Sequence, residues 1–138
     1  MTTLAKNSPR DFVLGDLQDL PVVATDIIYE GAAVGENGSG YFRPLVAADP
    51  FAGFAQSQAD NSAGAAGAIN VRVKPYGRIV LSVTGVTAVT DEGSTVYASD
   101  DDTFTLTSSG NTAIGKIVRY ISGTSAEVYF QSASYRSL

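Results

Sequence analysis

Apolar and polar residues alternate with a period of two along much of the chain, the spacing of strands that bury one face. Val71 and Val73 alternate with Arg72 and Lys74, and Ile79, Leu81 and Val83 resume the pattern beyond a corner or bulge at Pro75-Tyr76-Gly77. Alternation puts Arg72 and Lys74 together on a solvated face. Residues 95–98 form a strand entered from the turn Asp91-Glu92-Gly93, and Asp100-Asp101-Asp102 reverses the chain into Thr103-Phe104-Thr105-Leu106-Thr107. Residues 114–121 and 127–130 form the last two strands, joined by a turn at Ser122-Gly123-Thr124-Ser125. Short strands at near-regular spacing, separated by turn signals and rich in Val and Thr, predict an all-β fold, a small barrel or sandwich.

Between residues 22 and 70 the β pattern is interrupted. Short strands are expected at 26–30, 41–47 and 51–56, with Pro44 confining its strand to an edge or a bulge. Gly35 to Gly40 read as a turn, and residues 60–67, a run of small side chains with nothing to pack, read as a mobile loop. A faint internal echo links Phe51-Ala52-Gly53-Phe54-Ala55, followed by Asn70-Val71-Arg72-Val73, with Ala113-Ile114-Gly115-Lys116-Ile117-Val118, followed by Glu127-Val128-Tyr129. Each pairs a glycine-containing strand with an alternating one across a loop of small residues.

The first twenty residues differ in texture. Asp11, Asp16 and Asp19 are set among Phe12, Val13, Leu14, Leu17 and Leu20. Read as a helix, Val13, Leu17 and Leu20 share one stripe, but such a helix is short, contains Gly15 and ends against Pro21. A segment of that kind is marginal alone in water, so residues 1–20 are expected to be an extended N-terminal arm that needs another surface to order it. Residues 21–138 are then one β-domain, a size that supports a single hydrophobic core.

Composition narrows the chemistry. The 138 residues include no Cys and no His, which leaves neither the usual zinc sites nor a Ser-His or Cys-His nucleophile pair. No glycine-rich phosphate loop with its Lys and Ser/Thr occurs, and no aspartic-protease D-[ST]-G. Asp100, Asp101 and Asp102 form the densest acidic run, but they lack the alternating acids, central Gly and closing Glu of a calcium loop and read as a solvated turn. These observations favour a protein that is not an enzyme and uses no cofactor or metal. The formal charge of −5 and nine Lys and Arg scattered along the sequence argue against a nucleic-acid partner. No apolar run reaches membrane-spanning length, and residues 1–10 carry no secretory signal, so synthesis in a host cytoplasm without a membrane partner is expected.

One set of motifs, taken in order, points further. Gly93-Ser94-Thr95-Val96-Tyr97, then Phe104-Thr105-Leu106-Thr107, then Gly110-Asn111-Thr112-Ala113-Ile114-Gly115, closed by Ala126-Glu127-Val128-Tyr129-Phe130, resembles the small decoration, or cement, proteins of tailed-bacteriophage capsids. Phe51-Ala52-Gly53-Phe54-Ala55 is similar to that family's earlier F-x-G-x-A strand. The resemblance covers residues 50–131; the stretch 72–83 departs from the pattern and the arm carries no matching motif. It implies a β-tulip-like or related β fold and a homotrimer seated on the outside of an icosahedral shell, at local threefold points between capsomers. The partner it implies is the major capsid protein, the location is the outer surface of the virion, and the role is to stabilise the expanded shell. On that reading the apolar arm residues Phe12, Val13, Leu14, Leu17 and Leu20 are the candidate capsid-binding set. Seven tyrosines leave a second reading open, a non-catalytic glycan- or protein-binding β-module of a phage tail or surface protein.

Overall fold

The computed structural model describes residues 5–7, 9 and 16–136. It is built almost entirely of strands: β1 (Gln18–Pro21), β2 (Asp26–Ile28), β3 (Ala33–Glu36), β4 (Phe42–Pro44), β5 (Phe51–Ala55), β6 (Ala59–Asn61), β7 (Asn70–Lys74), β8 (Tyr76–Thr84), β9 (Thr95–Ala98), β10 (Phe104–Thr105), β11 (Thr112–Ser122) and β12 (Ser125–Gln131). The all-β expectation holds, and the architecture is a closed barrel joined to a second sheet. The barrel runs β10-β8-β12-β11-β9, the sheet runs β1-β7-β5-β3-β4, and β2 and β6 form a separate pair. A parallel bridge between Val22 and Phe42 brings the two edges of the five-stranded sheet toward each other, leaving it nearly closed as well.

Pro75 is the joint between the two halves. It separates β7, the sheet's strand, from β8, the first strand of the barrel, and its carbonyl accepts the Ser132 amide at 2.7 Å just after β12. A proline suits this position because the chain must leave one ladder before entering the next, where an N–H has no strand partner. Pro44 obeys the same rule, lying on the edge strand β4.

Two cores result. Val22, Ile28, Val34, Val71 and Val73 fill the first half, with Ala32, Ala52, Ala55 and Ala59. Val83, Val96, Phe104, Ile114, Ile117, Val128 and Phe130 fill the barrel, and Ala33, Leu45, Phe51 and Phe54 enter it from the sheet. Strand β5 therefore serves both cores, and all five of its residues are buried. Strict alternation would send Phe51 and Phe54 to opposite sides. Gly53, at φ +129°, sits in a bulge where Gly35 pairs with Phe51 and Val34 with Gly53, and the slip of one residue turns both phenylalanines toward the barrel.

The internal echo has a counterpart here. A Cβ on Gly53 would overlap the Lys74 carbonyl of β7, and one on Gly115 would overlap the Tyr129 carbonyl of β12. Gly115 also lies at a bulge, so that Ile114 and Ile117 both face inward. Each glycine lets its strand approach an antiparallel neighbour and reset its phase.

Two sequence expectations differ from the structure. Residues 60–67 are not a loop with nothing to pack: β6 ends at Asn61, which is buried and donates to the Val23 carbonyl at 2.8 Å and the Ala65 carbonyl at 3.0 Å. A single amide side chain thus replaces the missing apolar contacts. The helical stripe through Leu17 and Leu20 also gives way, because Gln18–Pro21 is strand β1, paired with β7 in the register Gln18 to Val73 and Leu20 to Val71. Tertiary pairing overrides a weak helical pattern that had no stable helix behind it. The Arg72 and Lys74 side chains are solvated, as alternation requires, and Arg72 meets Asp19 across the β1–β7 ladder at 3.1 Å.

A polar clasp ties the halves together. Arg43 holds Asp49 through two parallel bonds of 2.9 and 2.8 Å, Asp49 also accepts the Val46 amide, and the Asp49 carbonyl accepts the Thr112 hydroxyl of β11 at 2.8 Å. The forked guanidinium geometry makes this the strongest kind of side-chain pair, and the carboxylate beside it raises the Arg43 pKa above its ordinary value.

Candidate docking surface

The candidate capsid-binding residues divide. Phe12, Val13 and Leu14 lie outside the described residues. Leu17 is half-buried just ahead of β1, and Leu20 sits within β1, half-buried against the first core. Leu20, Phe42, Phe51 and Ala52 line a groove of about 260 Å³ beside the turn at Ala133–Tyr135. Leu20 therefore contributes to the fold, and the point at which the chain enters the body is Gln18.

A second surface is one that the sequence reading did not single out. The outward side chains of β8, β12 and β11 form an uncovered sheet. Register sets Lys116 beside Tyr129 and Tyr129 beside Arg78, and then Arg119 beside Glu127 and Glu127 beside Val80. Val80 is 57% exposed, Val118 40%, Tyr129 38%, and Ile121 is also open to solvent. Beside them a groove of about 470 Å³ runs over Thr95, Gly115, Lys116, Val118 and Tyr129 to Arg136.

Charge on this face contrasts with the chain as a whole. Arg78, Lys116, Arg119 and Arg136 gather here, although they are scattered in sequence and the net charge is −5. Glu127 lies among them, 3.6 Å from Arg78 and 4.0 Å from Arg119, and Glu92 stands at the edge, accepting the Tyr120 amide at 2.9 Å. The arginine side chains of both pairs are well exposed, so these contacts are weak and leave the arginines available. Arg136 donates to the Ala113 carbonyl, and partial burial lowers its pKa from the ordinary guanidinium value.

A separate acidic cluster forms at the β9–β10 loop. Asp100, Asp101 and Asp102 join β9 to β10, and Tyr29, Glu30, Asp101 and Asp102 line one concavity. Asp100 accepts the Asp102 amide at 2.8 Å and the Thr103 hydroxyl at 3.1 Å, which holds its pKa below the usual carboxylate value. Burial, reinforced by Asp100, pushes Asp101 the other way. The chain reverses here as expected, but the turn is not wholly solvated: Asp101 is half-buried, its carbonyl accepts the Ala33 amide at 2.9 Å, and Asp100 forms a β-bridge with Val46. Among the described residues, no group of three or more His, Cys, Asp or Glu converges as a metal ion would require, and no helix is long and apolar enough to cross a membrane.

The signal for the barrel face was present in the alternation. Ile79, Leu81 and Val83 set the inward phase of β8, so Val80 had to point outward into solvent. What the alternation did not carry was the barrel closure that brings Val118 and Arg119 alongside. No protein-family model matches this chain, and no curated protein matches it.

Proposed function

We propose that this chain is a non-catalytic structural protein of a tailed-phage head. It binds the outside of the icosahedral shell as a homotrimer at local threefold positions, contacts the major capsid protein, and stabilises the expanded shell. The observation that supports this best is the uncovered face of β8, β12 and β11, where Val80, Val118, Ile121 and Tyr129 stand in solvent within a cationic rim. Small domains rarely leave such a sheet face open unless it meets a partner. Four of the five motifs that resemble decoration proteins fall on the strands β9, β10, β11 and β12, four of the five that close the barrel, and the fifth is β5 of the sheet, whose Phe51 and Phe54 enter the barrel core.

The physical task needs no bond-making. A specific attachment must bury about 1,000 Å² or more across shell subunits, and three linked copies turn weak separate contacts into one strong one. The protein stabilises whichever shell state it binds better, and only by that difference in affinity. The rigid barrel supplies a preformed surface, and the clasp of Arg43, Asp49 and Thr112 keeps the two halves in fixed relation.

Co-sedimentation with undecorated heads tests the proposal. Expanded heads are expected to retain the protein and unexpanded heads to retain much less. Removing residues 1–16, which spares β1, is expected to leave the melting temperature nearly unchanged and to weaken retention by about tenfold or more, the effect of losing one linked contact. Equal retention by the truncated chain would remove the arm from the mechanism. Retention on a glycan array with none on either head would favour the tail or surface module instead.

A further inference from the structure

The barrel face and the acidic concavity are built from different parts of the chain: strands β8, β12 and β11 for the one, and the β2–β3 connection with the β9–β10 loop for the other. In the closed order β10-β8-β12-β11-β9, strand β12 has β8 and β11 as neighbours, so β9 and β10 are the two strands across the barrel axis from it. The face carrying Arg78, Lys116, Arg119 and Arg136 is centred on β12, and the loop carrying Asp100, Asp101 and Asp102 joins β9 to β10. One side is cationic with exposed Val80, Val118 and Tyr129; the other is anionic with Glu30 and a Tyr29 that is 60% exposed.

We infer that copies of this chain associate head to tail, with the β8–β12–β11 face of one seated on the Tyr29, Glu30, Asp101 and Asp102 side of the next. The occupant of the face is thus a second copy. The complementary charge and an exposed aromatic ring, Tyr29, are both on this chain. A twofold contact of the face with itself would set Arg78, Lys116, Arg119 and Arg136 against their own copies with only Glu127 and Glu92 to offset them, which makes it the poorer match. A contact between two different patches does not consume itself, and it closes into a ring when the rotation between copies allows. The copy number of three rests on the decoration-protein reading; the pairing of these two patches does not.

Charge reversal tests the pairing with the full chain. Light scattering at low salt and micromolar concentration is expected to show an oligomer for the unaltered protein. Arg78→Glu with Arg119→Glu should weaken assembly by roughly 100-fold, and Glu30→Lys with Asp102→Lys should do the same, since like charges then face each other. Combining all four substitutions in one chain should restore assembly, and mixing the two double variants should restore it in alternation, so that a ring closes only with an even number of copies. Thermal melts check that each variant folds. A monomeric unaltered protein would overturn the inference. So would assembly that survives reversal of the acidic side, or a fourfold variant that folds yet stays monomeric. The two readings fail separately. A monomer that still sediments with expanded heads keeps attachment to the shell but removes the homotrimer along with this contact, whereas an oligomer that ignores heads removes the decoration reading and leaves the contact standing.

Discussion

Phe130→Ala is expected to lower the stability of this protein by about 3–5 kcal/mol, the range for truncating a fully buried aromatic ring. Phe130 is the point where the two halves meet. Its ring lies 4.9 Å from Phe54 at an interplanar angle of 83°, and 6.2 Å from Phe51 at 78°, both edge-to-face, while Phe54 in turn lies 5.9 Å from Phe104. Such pairs add about 0.5–1.5 kcal/mol beyond the area they bury. The cavity left by alanine would open between β5 and β12, where neither the sheet nor the barrel can collapse without pulling away from the other. For a chain of this length the loss corresponds to a fall of roughly 10–20 °C in melting temperature. Differential scanning calorimetry measures it directly. A fall under about 3 °C, less than 1 kcal/mol, would mean that the joint is not a shared core.

Gly53→Ala comes next. One methyl group meets two obstacles: a φ of +129°, which side-chain-bearing residues rarely adopt, and the Lys74 carbonyl, which occupies the space a Cβ needs. Backbone strain costs about 1–3 kcal/mol and forced overpacking about as much again. The consequence extends beyond the site. If β5 relieved the clash by losing its bulge, the phase of the strand would shift, and Phe51 and Phe54 could no longer both reach Phe130. Urea denaturation is expected to show a midpoint well below that of the unaltered chain. Near-ultraviolet dichroism from the aromatic cluster should weaken even below the transition. Full stability in the alanine variant would contradict the role given to the bulge.

These two positions also show how far the sequence could be read. Alternation in Val71, Val73, Ile79, Leu81 and Val83 carries the strands and their buried sides, because a period of two is written in residue types. The corner at Pro75 is legible for the same reason, since proline removes a donor wherever it sits. Phase resets are not legible. Phe51-Ala52-Gly53-Phe54 read as an ordinary strand sends its aromatics to opposite sides, and only the partner backbone pressing on Gly53 and Gly115 reveals the bulges. Asn61 was hidden likewise, because a lone amide among small residues looks like a solvated turn until the Val23 and Ala65 carbonyls are brought to it. The cationic face is a product of closure: Arg78, Lys116, Arg119 and Arg136 become neighbours only once β12 lies between β8 and β11.

Cryo-electron microscopy of expanded heads incubated with the purified protein bears most directly on the central claim, that this barrel works by bridging neighbouring subunits of a shell. The expected map has threefold-symmetric density on the outer surface at the junctions between capsomers, into which three copies of the barrel and its sheet fit with the Val80 and Tyr129 face covered. A map of saturated heads with bare junctions, or with density confined to the tail, would contradict it.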